Sequence, residues 1–475
     1  MHTSTPLASG TSSAASHAQL PSSTQQKVTQ PPQAPQMRMR LPEASFQVVS
    51  AAENSTTAAQ STTATSISYI TPTAATPSPV QEHGSQGALS PMPASLLEAV
   101  EGNDLEALKQ LLVELLQSGK KVREELNQSS KSKKSNDIYT LMEGREVTPL
   151  MAAACDGYTQ LIEFLVGAGA KVDKRGPKGI TALMAAARQG HTATVRALLQ
   201  AGAGVNKATA VGWCALIWAA EFGHPTTLQV LLQAGAKVDQ AVCSGETALI
   251  RAASIGNIDS IQLLLQAGAK VDQGSSTGMT ALMWAARNGY TAAVQALLDA
   301  GAKFDHVQPD GYTGLIYAAQ RGHAHTLQAL LDAGAKLGHS TCSGFTALMG
   351  AAICGTPAAL QVLLQAGAEV DQAKSDGQTA LLCAAECGNN VNVQALLRVG
   401  ANIDHADIDG WTSLTYAADY GSTATVQALL DAGANAMLMD KHGDTALLRA
   451  VKKQHAEIVE LLRAHDTANQ HQSDL

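Results

Sequence analysis

The chain is 475 residues long, 45% hydrophobic, 4% aromatic and 15% charged, with a formal net charge of -8 at pH 7. An acidic balance argues against a nucleic-acid binder of the ordinary basic kind, and no apolar run is long enough to cross a bilayer, so no membrane insertion is expected. The seven cysteines are odd in number and lack disulfide or zinc spacing, which points to a reducing, cytoplasmic setting.

Residues 1–93 contain 29 Ser or Thr and 11 of the 16 Pro, with no Asp, Cys or Trp. Phe46 and Tyr69 are the only aromatics there, so the segment cannot bury enough apolar area to offset its ordering entropy, and disorder is expected. Lys27, Arg38 and Arg40 balance Glu43, Glu53 and Glu82, which assigns the net charge to the remainder. The first residues, "MHTSTPLASGTSSAASHAQLP", lack the charged start and apolar middle of a secretory signal.

Residues 94–117 carry two short apolar-periodic runs either side of Asn103, a degenerate version of the unit that follows. Residues 118–145 are expected to form a polar insertion loop. Its Lys120, Lys121, Arg123, Lys131, Lys133 and Lys134 are mixed with Glu124, Glu125 and Asp137. That composition suits a solvated loop, with an acidic-partner contact or nuclear import patch as the alternative.

From 146 to 466 one unit repeats. Nine glycines, Gly179, Gly212, Gly245, Gly278, Gly311, Gly344, Gly377, Gly410 and Gly443, stand 33 residues apart. Leu150 to Leu447, Ala153 to Ala450, Gly190 to Gly421 and Gly169 to Gly433 keep the same period. A fixed period of this length means one supersecondary unit copied and stacked. Between the glycines lie two apolar-periodic runs such as Thr181–Gln189 and Thr192–Ala201, which read as short helices. Thr181 is placed to cap the first run, and Gly190 and Gly202 suit the left-handed residue that ends each helix. The alanine column lets neighbouring helices approach closely.

One copy runs "DGQTALLCAAECGNNVNVQALLRVGANID". This resembles the ankyrin repeat, whose pattern is a glycine turn, T-P/A-L, an Ala-Ala pair, a glycine, then V-x-x-L-L-x-x-G-A. Ten copies match from Glu146 to Asp466, about two thirds of the chain. Met184, Ile217 and Leu382 stand where the family places His, and Cys214 replaces its Thr once. Leu96, Ala99 and Asn103 fit the columns of an eleventh, N-terminal capping unit, and Gln454 with Lys452, Lys453, Glu457 and Glu460 suggests a polar closing helix. Residues 467–475 are expected to be a flexible tail. The fold expected is therefore an all-α, ankyrin-like helical solenoid with extended loops, behind a disordered leader.

Outside the repeats there is no Walker loop, G-x-S-x-G or H-E-x-x-H, so no enzyme, catalytic residue or cofactor is expected. Cys383 and Cys387, near Cys354, read as small apolar side chains rather than metal ligands. His191, His224 and His323 resemble the family's structural Gly-His turn, and repetition accounts for His306, His339 and His405.

The aromatics are more informative. Trp213, Tyr312, Phe345 and Trp411 follow the turn glycine, in the column of Met279. Trp218, Trp284, Tyr317 and Tyr416 lie on the first helix, and Phe222 and Tyr420 fall four residues beyond Trp218 and Tyr416 on the same face. Charged residues share these columns, including Arg251, Arg321, Glu221, Glu386 and Lys453, with Asp407, Asp409 and Asp419 beside Trp411 and Tyr416. The resemblance implies that turn tips and first helices line a concave side. Aromatics with a polar edge anchor protein interfaces, so these columns, with Arg321, are the expected partner-binding residues. Packing on the next unit is the other use such rings can have.

The function expected is a non-catalytic protein–protein scaffold acting as a monomer on one or more protein partners. The acid-poor leader resembles the non-cleaved leaders of bacterial effectors delivered into eukaryotic hosts, which implies host proteins as targets. An ordinary intracellular scaffold, or a regulator docking in an enzyme's cleft, fits the same residues.

Overall fold

Each unit folds for reasons found within about 33 residues, and the second copy illustrates them. Thr181 is extended, and its Oγ1 accepts from the Met184 N–H at 3.4 Å, starting the helix Ala182–Gln189. Gly190, at φ 75°, ends that helix, and the His191 N–H closes back on the Ala186 carbonyl at 3.0 Å. The helix Thr192–Gln200 follows, and the Ala203 N–H returns to the Leu198 carbonyl at 2.9 Å.

The chain then crosses to the next turn, where Thr209 and Trp213 bond backbone to backbone at 2.9 Å around Gly212. Two constraints meet at that glycine. Its φ is 89°, and a Cβ there would lie 2.7 Å from the Val242 Cα of the following unit. The turn tips therefore nest directly on one another.

The computed structural model describes residues 95–118, 121–128, 130–131 and 146–473. The leader and most of the insertion, including Lys120, Lys133 and Lys134, lie outside the described residues. Ten first helices appear among them: Pro149–Asp156, Ala182–Gln189, Ala215–Glu221, Ala248–Ser254, Ala281–Arg287, Gly314–Gln320, Ala347–Cys354, Ala380–Glu386, Ser413–Asp419 and Ala446–Lys453. We number the units one to ten in that order. Each is followed by a second helix, from Thr159–Gly167 to Ala456–Ser473.

First helices pack on the first helices of adjoining units and on their own second helices, giving a helical solenoid. Every member of the alanine column from Ala153 to Ala450 is 0% exposed, and Leu150 to Leu414 are buried beside them. A larger side chain in the alanine column would hold neighbouring helices apart.

Ahead of the ten units, Leu96–Glu101 and Leu105–Gln117 form another helix pair, and its first helix packs on Pro149–Asp156. Asn103 takes the left-handed turn there at φ 55°, and Gln454 does so in the tenth unit at φ 64°.

Two stretches differ from a loop-and-tail reading. Within 118–145, residues Val122–Glu125 are helical, and Ser130–Lys131 pairs antiparallel with Glu146–Val147. Val122 and Leu126, four apart, supply the apolar contact, with Leu126 0% exposed, and Asn127 Oδ1 accepts from the Lys171 N–H at 2.8 Å. Beyond 466, the last helix continues to Ser473, since neither Gly nor Pro interrupts Ala456–Ser473.

Candidate functional site

The turn tip and the first helix present side chains to the same side of each unit. In unit three the backbone bond pair around Gly212 and the Thr209 Oγ1, which accepts from the Trp213 N–H at 3.1 Å, hold the Trp213 ring over the helix start. Trp218 stacks beneath it with ring centroids 4.2 Å apart, and Phe222 lies 5.8 Å from Trp218 one turn later.

Arginines from both neighbouring units cover this stack. Arg188 sits 4.3 Å from the Phe222 ring centre and 5.4 Å from that of Trp218, while Arg251 lies 5.1 Å from Trp213. Arg251 is itself held by Glu246 and, at 3.3 Å, by Glu221.

A second cluster occupies units five and six. Arg287 lies 5.2 Å from the Trp284 ring and 5.9 Å from Tyr317, which stacks on Tyr312 at 5.1 Å. The Tyr317 hydroxyl donates to Gln308 Oε1 at 2.5 Å, and Gln308 Nε2 donates back to the Thr277 carbonyl at 2.9 Å. Burial, then the Asp310 carboxylate, raises the Tyr317 pKa, so the phenol stays a donor. The Trp284 Nε1 is buried with no hydrogen-bond partner among the described residues.

Units eight to ten build a third cluster. Tyr416 is 5.0 Å from Trp411 and 6.4 Å from Tyr420. Its hydroxyl donates to Asp407 Oδ2 at 2.7 Å and accepts from Gln378 Nε2 at 2.8 Å. Burial first, and the bond to Asp407 second, push the Tyr416 pKa far above the usual phenol range. The Tyr420 hydroxyl donates to Glu386 at 3.3 Å. Arg449 covers Trp411 at 4.5 Å and pairs with Asp440 and, at 3.2 Å, with Asp444. Burial alone would raise the Asp440 pKa, but bonds from the Asp444 amide, Arg449 and the His442 amide outweigh it and bring it below the ordinary value.

The expected site residues differ in what they offer a partner. Phe222 and Tyr420 are 42% and 58% exposed, and Arg321 is also exposed. Trp213, Trp284, Tyr312, Tyr317, Phe345, Trp411 and Tyr416 are half-buried. Trp218 and Met279 are 9% and 5% exposed, so they support the face from below more than they present area.

Sequence reasoning did not single out Arg188, Arg287, Arg449, Gln308 or Gln378. A signal was available: Arg449 sits in the Trp218 column, Gln378 in the Trp213 column, and Arg188 and Arg287 in the Glu221 column.

The cysteines and histidines take structural surroundings. Burial pushes the Cys383 thiol up to about 12 and raises Cys387 as well, which keeps both protonated. Among the described residues no group of three or more His, Cys, Asp or Glu side chains could hold a metal ion. His191, His224, His323 and His455 each place Nε2 3.0–3.1 Å from the carbonyl 36 residues earlier, and since a carbonyl only accepts, Nε2–H donates.

The family model for ankyrin repeats (3 copies) matches residues 96–208, 150–242, 216–308, 300–374, 355–440 and 381–474. Many solved structures are similar to the chain. One is the crystal structure of the human ASB11 ankyrin repeat domain, 28% identical with a TM-score of 0.44, covering 47% of this chain and 99% of that one. No curated protein matches the chain. Among the described residues no helix is long and apolar enough to cross a membrane.

Proposed function

The chain belongs to the ankyrin-repeat family, and we propose that it grips a protein partner along the concave face made by its turn tips and first helices, as a non-catalytic scaffold. One observation carries this reading: the columns that vary between units hold stacked aromatics with arginines over them, while the constant columns are spent on packing. Rings already stacked and capped lose little further freedom on binding, so more of the contact energy is available as affinity. Half-exposed Trp and Tyr with cationic neighbours are the residue types that dominate interface energetics.

The combined replacement Trp213→Ala, Phe222→Ala and Trp284→Ala should abolish capture of cytosolic proteins by the immobilised full chain. Thermal melts by circular dichroism would show that the variant folds. Unchanged capture by a folded variant would remove the site from this face.

The acid-poor leader supports delivery into a host cytosol as the setting. A reporter fused to residues 1–93 and retained inside a secretion-competent bacterium would count against it.

A further inference from the structure

Most charged groups on the partner face cancel within it. Glu221 and Glu246 share Arg251, Asp440 and Asp444 share Arg449, and Lys452 adds to Asp444 at 2.6 Å. Asp419 pairs with Lys453 at 3.2 Å, Asp376 with Lys374 at 3.0 Å and Asp409 with Lys441 at 3.2 Å.

What remains is uneven. In units five and six, Arg287 and Arg321 form no ion pair among the described residues, and Asp310 at the sixth turn offsets only part of their charge. In units eight and nine the pattern reverses. Glu386 and Asp407 accept from tyrosine hydroxyls and Gln378, with no cation paired to either among the described residues.

Unit seven, between the poles, is uncharged where it meets a partner. Phe345, Ile353 and Cys354 line it, and Gly350 takes the position held elsewhere by Trp218, Tyr317 or Arg449. A Cβ at Gly350 would lie 3.1 Å from the Gln320 amide nitrogen, so packing keeps that position free of a side chain.

We infer that this face takes an extended protein segment with an acidic end over units five and six, an apolar middle on unit seven and a basic end over units eight and nine. The inference rests on the partner-face reading above and adds the chemistry of the occupant. Helices in contact lie about 10 Å apart, so the three-unit step between the poles is about 30 Å. At about 3.3 Å per extended residue that distance separates the charged ends by about nine residues. A polyanion such as nucleic acid fits poorly, because it would meet Glu386 and Asp407. The two poles give the segment a single charge orientation, which is how electrostatic complementarity sets register.

The test is selection of random 16-residue displayed peptides on the full chain, followed by fluorescence anisotropy with an enriched peptide. Enriched sequences should place acidic and basic residues about nine apart with apolar residues between. The variant Arg287→Glu/Arg321→Glu should weaken binding about tenfold or more, and Glu386→Lys should do likewise. The same peptide with its acidic residues changed to Lys should recover binding to Arg287→Glu/Arg321→Glu.

Enrichment of nothing, or of peptides without this charge order, would overturn the inference. So would binding indifferent to the charge variants yet lost on Trp213→Ala/Phe222→Ala/Trp284→Ala, an outcome that leaves the face reading standing. Peptides that ignore both sets of changes would overturn the face reading itself. Melting curves of each variant separate lost binding from lost folding.

Discussion

Cys214 is the one first-helix cap in the ten units that offers a weakly accepting sulfur where the others offer a threonine hydroxyl. Thr148, Thr181, Thr247, Thr280, Thr313, Thr346, Thr379, Thr412 and Thr445 each accept from an amide three residues on, at 3.2–3.5 Å. Cys214 has the same extended backbone, at φ -124° and ψ 171°, but is 2% exposed, so water does not make up for its weakly accepting sulfur. Cys214→Thr should therefore stabilise the start of Ala215–Glu221. Replacing a poor cap by Thr is worth about 0.5–2 kcal/mol, and the long bonds in the other units favour the lower half, about 0.5–1 kcal/mol.

That gain corresponds to about two- to fivefold in the local opening equilibrium. Hydrogen exchange by mass spectrometry over residues 215–221 would read it as slower exchange. The reverse swap, Thr247→Cys, should speed exchange by a similar factor in unit four. If Cys214→Thr leaves exchange unchanged or faster while folding is intact, the threonine column is not what starts these helices.

Two further outcomes follow from the packing and from titration. Ala351 is 0% exposed and its carbonyl accepts from Asn392 Nδ2 at 3.1 Å. Ala351→Leu should overpack the contacts of Ala347–Cys354 and cost about 1–3 kcal/mol in urea unfolding, and an unchanged curve would show the register to be misplaced. Burial lowers the pKa of His224 and His323 below the ordinary 6.5. The unfolded chain then holds the extra proton first, so the stability from these neutral rings is complete above about pH 6.5 and declines as pH falls below it. His224→Asn should flatten part of that decline in urea midpoints between pH 7.5 and 5, because Asn389 holds the same column in unit eight and donates to the Ile353 carbonyl at 2.7 Å. An identical pH profile would assign the decline elsewhere.

Repetition made the solenoid legible, because each column is a separate vote on the same local structure. Asn103 and Gln454 could be read as turn residues only because they stand where other units place glycine, and both have positive φ. Where the repeat register stops, that leverage disappears. The helix past 466 has no column to reveal it, and Val122–Glu125 is masked by the charges around it. For the partner face, spacing told which rings share a side but not how deep each lies. Depth depends on what the adjoining units contribute. Trp218 is roofed by its own Trp213 and flanked by Arg188 from unit two, which leaves it 9% exposed. Met279, in the Trp213 column, ends at 5%.

The same neighbour-to-neighbour contacts make most face residues serve stacking as well as recognition. Arg251 in unit four binds Glu221 in unit three, Gln378 in unit eight donates to Tyr416 in unit nine, and Tyr420 in unit nine donates to Glu386 in unit eight. In a solenoid, stability is close to a sum of unit and nearest-neighbour terms. Removing any of these groups therefore alters an interface term as well as the binding surface, and a loss of partner capture would mix the two. Phe222 and Arg321 come nearest to separating them: both are exposed, neither is in a side-chain hydrogen bond among the described residues, and Phe222 contacts Trp218 and Arg188 through its ring. Substitutions there should lower affinity with little change in melting, whereas Arg251→Ala should lower both, because it leaves Glu221 and Glu246 half-buried without their cation.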